Sequence, residues 1–119
     1  MNPLKENLEK SPDEKYPDKD APMTNCFGYV YYKLGLDPEK IGFMVDLDDF
    51  DQVPDIKDAN AILFIDARNG QHVHMVHVGS NGTISHRGNF GWPIEPTSTE
   101  KLQERYEPER FKMVLLRAK

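Results

Sequence analysis

With 119 residues, 38% hydrophobic side chains, 29% charged side chains and a formal net charge of −5, the chain has material for one hydrophobic core and not two. The acidic balance argues against nucleic acid as a partner, because phosphate binding needs a basic face, and no apolar run approaches the roughly 20 residues of a membrane helix. One cysteine excludes an internal disulfide, and the opening MNPLKENLEKSPDEKYPDKDAP has no apolar stretch to serve as a signal peptide, so the chain is expected to be cytoplasmic as synthesised or exported without such a signal.

Residues 1–21 alternate charge and proline without apolar periodicity, which predicts a loosely held polar arm ahead of a single domain over 22–119. Cys26, Val30 and Leu34 then recur every four positions and Gly35 follows as a stop. A helix of about ten residues is expected there, with Thr24 or Asn25 as its N-cap. Residues 37–58 carry eight acidic side chains against two lysines, and read as a long acidic connection with room for one short helix. Within it VDLDDFDQ has Asp at alternate positions but lacks the central glycine and terminal Glu of a calcium loop, so it reads as a solvated loop.

The period then changes. AILFID (61–66), HVHMVHV (72–78) and TISHR (83–87) are expected to form a three-stranded meander, with Asn and Gly in the RNGQ and GSNG turns. The loop GNFGWPIEPTS leads to a short helix over 99–106 capped by Ser98 or Thr99, and FKMVLLR closes the chain as a strand. A helix followed by an antiparallel sheet is an α+β arrangement.

Cys26 alone reads as a small buried hydrophobe. At a helix start, however, backbone N–H groups and the helix dipole favour the thiolate, which predicts a lowered thiol pKa. A nucleophilic thiol also needs an imidazole base and a group to orient it, and all four histidines lie between residues 72 and 86. Strict strand alternation puts His72, His74, Val76 and Val78 on one face, with Val73, Met75 and His77 on the other. His77 is then an ordinary surface or half-buried imidazole, and His86 on the next strand completes a Cys, His, His set.

These residues carry a resemblance. A helix-first Cys, a His-bearing strand and a second His on the following strand look like the NlpC/P60 superfamily of papain-like cysteine peptidases and amidases. TNCFGYVYYKLG is similar to that family's Asp-Cys-Ser-Gly helix start, keeping Cys26 and Gly28 but with Asn25 for Asp and Phe27 for Ser. HVHMV is similar to its His-Val-Gly-Ile strand and ISHRG to the strand of its third polar residue. The resemblance covers residues 16 to 88 or so. It implies a papain-like core, with the Cys-bearing helix packed on a small antiparallel sheet, and a cysteine hydrolase acting on a peptide or isopeptide bond, such as a peptidoglycan stem, without a cofactor. It also implies a tyrosine upstream of the Cys at the oxyanion site, for which Tyr16 is the nearest candidate.

Two histidines compete for the base. The motif wording favours His72, whereas the twelve-residue interval to His86 and the packing of Val76 and Val78 beneath it favour His74, with His72 left at the open lip. A rival reading has His72, His74 and His86 bind a metal as three neutral nitrogen ligands. A third keeps the fold as a binding module without activity, because Asn25 and Phe27 depart from the family pattern. A toxin with a cognate inhibitor fits the resemblance as well as a housekeeping enzyme does.

Overall fold

Alternation along AILFID and FKMVLLR gives one sheet two apolar faces, and each face is covered by a helix. The structure, a computed structural model, describes residues 15–38 and 45–119. In chain order it runs α1 (Cys26–Lys33), β1 (Phe50–Gln52), β2 (Ala61–Asp66), β3 (His72–Val78), β4 (Ile84–Arg87), β5 (Ile94–Thr97), α2 (Thr99–Arg105) and β6 (Phe111–Ala118), with 3-10 turns at Asp18–Asp20, Leu47–Asp49 and Ile56–Asp58. The six strands form one antiparallel sheet in the order β1-β6-β2-β3-β4-β5. The α+β class is therefore observed.

On the α1 face, Cys26, Phe27, Tyr29 and Val30 bury against Ala61, Leu63, Met75, Val114 and Leu116. On the other face Leu102 of α2 packs with Ile62, Phe64, Val76, Val78 and Ile84. Val76 and Val78 thus lie across the sheet from α1, not beneath it as the packing argument for His74 assumed. A β-bulge corrects the histidine pattern too. Register runs Phe64↔His74 and then Ile65↔His72, so one extra residue of β3 interrupts the alternation. Val73 joins the α2-side cluster beside Val76, while His72 turns to the α1 side and accepts a hydrogen bond from Val45 N–H on Nδ1 at 2.9 Å. His72 is buried, so it is neither on the His74 face nor at an open lip.

Two strands were not expected. β5 sits inside the loop between the meander and α2, where Pro96 in a four-residue edge strand hid it; β1 is a three-residue piece of the acidic connection whose strand partner is β6. Residues 1–14 and 39–44 lie outside the described residues. The end of the expected loose arm is tied down: Asp18 pairs with Lys33 at 3.1 Å and accepts from Tyr29 Oη at 2.9 Å, and Pro17 O accepts from Tyr32 Oη at 2.9 Å. Among the described residues no helix is long and apolar enough to cross a membrane.

Candidate active site

The helix start is fixed from three sides. Asn25 caps α1, its Oδ1 accepting from Gly28 N–H at 2.9 Å, so Asn25 supplies the acceptor that a cap needs. Arg87 at the end of β4 donates through Nη1 to Pro22 O (2.9 Å) and Thr24 O (3.1 Å), and Gly91 N–H reaches Thr24 O at 3.2 Å. Arg87 is buried and its Nε has no hydrogen-bond partner among the described residues. The loop it anchors exposes Phe90 and Trp92 beside the exposed Met23, an apolar rim next to the helix start.

β3 and β4 pair only at His77↔Ser85 and Val78↔Ile84; β4 then continues alongside β5, with His86 opposite Glu95. The first half of β3 is therefore open on that edge, and Cys26 fills the opening. Burial pushes its thiol pKa up, against the N–H groups of Met75, Phe27 and Cys26 itself, which face the sulfur and favour the thiolate. The helix-start effect is present, but desolvation outweighs it. The expected low-pKa thiol is corrected accordingly.

His74 precedes Met75 and lies under the other face of the same opening, 2% exposed. Its Nε2 stands 2.7 Å from His86 Nδ1, the rings meeting edge to face at 4.9 Å. Of the two candidate bases, His74 is the one that meets His86. With Nε2 engaged, only Nδ1 of His74 remains for a further partner. Tyr106 lies parallel to the His74 ring, and burial raises the pKa of its hydroxyl. No hydrogen bond joins the Cys26 sulfur to His74 or His86.

Tyr16 is elsewhere. Its carbonyl accepts from Lys33 Nζ at 2.8 Å and its ring meets Tyr32 edge-on, at the C-terminal end of α1, the wrong end to serve an oxyanion at Cys26. His77 is 3% exposed and lines a cavity of about 270 Å³ with Asp18, Lys33 and Ser85, so it is no surface imidazole. Because His72 is diverted to Val45, the His72, His74, His86 set for a metal is not assembled; among the described residues no three His, Cys, Asp or Glu side chains are placed to hold one. Tyr106 and Glu95 were missed, one on α2's end, the other on an edge strand, and sequence spacing links neither to the histidines.

Burial, then His86, then Arg105, hold His74 down to about 3. Burial also lowers His72 and, against the pull of Glu95, His86. Each is neutral in the fold and protonates near pH 6.5 once unfolded. The unfolded state therefore binds more protons below pH 6.5, and stability falls as pH drops from there toward 3. His74, the most strongly lowered of the three, contributes the largest share of this loss. Denaturant melts at pH 7, 5.5 and 4.5 should show it, with a shallower slope in His74→Leu; an acid slope unchanged by that substitution would contradict the neutral His74.

No family model, curated protein or solved structure matches the chain.

Proposed function

We propose that the protein is a papain-like cysteine hydrolase of NlpC/P60 type, with Cys26 as nucleophile, His74 as base and His86 as the group that orients His74. The 2.7 Å pairing of His74 Nε2 with His86 Nδ1 carries this reading, because it occupies one nitrogen of a buried imidazole and leaves Nδ1 as the nitrogen able to take a proton. In this reading His74 holds its own proton on Nε2, donated to His86 Nδ1, and takes the Cys26 thiol proton on Nδ1. The sulfur attacks the amide carbonyl carbon, and Cys26 N–H stabilises the oxyanion. His74 then returns the proton to the departing amine, leaving a thioester that water hydrolyses with His74 again as base. No cofactor takes part.

A raised thiol pKa and a lowered imidazole pKa disfavour a resting ion pair, so proton transfer accompanies attack rather than preceding it. The substrate class, a peptide or isopeptide bond such as one in a peptidoglycan stem, rests on the resemblance alone. Its flank would lie on the rim of Met23, Phe90 and Trp92, the exposed apolar surface beside the helix start. The second reading, a binding module that keeps the fold without activity, is favoured by the burial of Cys26 and His74, at 7% and 2% exposure. Amine release from peptide and isopeptide substrates decides between them. Wild type should release amine and Cys26→Ala should not; no release by wild type across muropeptide and isopeptide panels favours the binding module, and equal release by both would remove Cys26 from the chemistry.

A further inference from the structure

Tyr106 ends α2 as its C-cap, its N–H bonded to Leu102 O at 2.7 Å. β2 and β3 set Phe64 and His74 side by side as cross-strand partners, and the Tyr106 ring lies over both, 5.0 Å from Phe64 at 28° and 5.4 Å from His74 at 16°. Phe111 meets its edge at 5.4 Å, and the Arg105 guanidinium sits 5.7 Å from its centre. The ring is thus clamped by α2, β2 and β6 before it touches the histidine.

An imidazole held by one hydrogen bond can still turn about its second side-chain torsion, which is broad for histidine. Half a turn would put Cε1 where Nε2 meets His86 and Cδ2 where Nδ1 stands, taking both nitrogens from their places. A clamped ring parallel to its face blocks that turn, and offset stacking is itself favourable. We infer that Tyr106 is a positioning residue for His74: its ring fixes the imidazole plane so that Nε2 stays on His86 and Nδ1 is the nitrogen left for Cys26. The inference rests on His74 being the base, and it assigns to the end of α2 a part in the site that the Cys, His, His pattern leaves out. Its contribution is the ring and not the hydroxyl, so phenylalanine should replace it and leucine should not.

The test is nitrogen-15 NMR of the His74 ring in wild type, Tyr106→Phe and Tyr106→Leu, which needs no turnover. Wild type and Tyr106→Phe should each show one tautomer, protonated on Nε2, with the ring protons of His74 shifted upfield by the stacked ring. Tyr106→Leu should show averaged nitrogen shifts, with kcat falling about tenfold or more at little changed KM. A single unchanged tautomer in Tyr106→Leu overturns the inference. If Tyr106→Leu does not fold, wild type decides alone: His74 ring protons without an upfield shift, or without a nuclear Overhauser contact to the Tyr106 ring, overturn it equally. Absence of amide hydrolysis in wild type would sink the hydrolase reading and leave the tautomer result standing.

Discussion

His74→Ala should lower amine release by about 10³-fold or more, as far as Cys26→Ala does, because a general base contributes about 10² to 10⁴ and members of one catalytic unit fail together. His86→Ala should fall between these variants and wild type, since it acts through His74 at 2.7 Å. His72→Ala should behave differently in kind. Its Nδ1 is the acceptor for the buried Val45 N–H, so the loss leaves a donor unpaired and costs about 1 to 3 kcal/mol of stability, with activity per folded molecule close to wild type. Rates measured at equal folded concentration, together with denaturant midpoints, separate the two effects. An inactive His72→Ala beside an active His74→Ala would reverse the assignment.

Gly28→Ala should be strongly destabilising. A Cβ there would lie 1.9 Å from Thr24 Oγ1 and 2.8 Å from Thr24 Cβ and Cγ2, far inside van der Waals contact. Thr24 cannot easily retreat, because its carbonyl takes hydrogen bonds from Arg87 and Gly91. The helix start must move instead, and with it the Asn25 cap and Cys26. We expect a loss of about 2 to 3 kcal/mol, read as a fall in Tm of roughly 10 °C, and a loss of activity larger than the unfolded fraction explains. Thr24→Gly in the same chain removes the obstructing side chain and should recover most of the stability. An unchanged Tm in Gly28→Ala would mean that the close approach is not a constraint.

That glycine shows how the sequence could be read. Its place after Cys26 in TNCFG was legible as a motif, and so were α1, β2, β3 and β6 from their apolar periodicity, β4 from the GSNG turn before it and α2 from its Ser98 cap. The pairing of His74 with His86 was legible from their separation of twelve positions, yet the packing reason first attached to it was wrong. Val76 and Val78 face α2, and it is the bulge at the Phe64/Ile65 step that removes His72 from competition. A bulge depends on which strand pairs where, and H-x-H on a strand carries no mark of it. Tyr106 was invisible for a related reason, as it meets His74 only because β6 returns to the middle of the sheet and draws the end of α2 across. The thiol pKa was misjudged because the helix start could be seen in the sequence and the burial around it could not.

The central claim is that Cys26 attacks an amide carbonyl with His74 as its base. It is tested most directly by acid-quenched intact-mass analysis of the protein turning over a peptide or isopeptide substrate. The account predicts an acyl adduct, one acyl group gained for one proton lost, mapped to Cys26 and absent from both Cys26→Ala and His74→Ala. Amine release without any adduct on Cys26, or an adduct that forms as fast in His74→Ala, would contradict it.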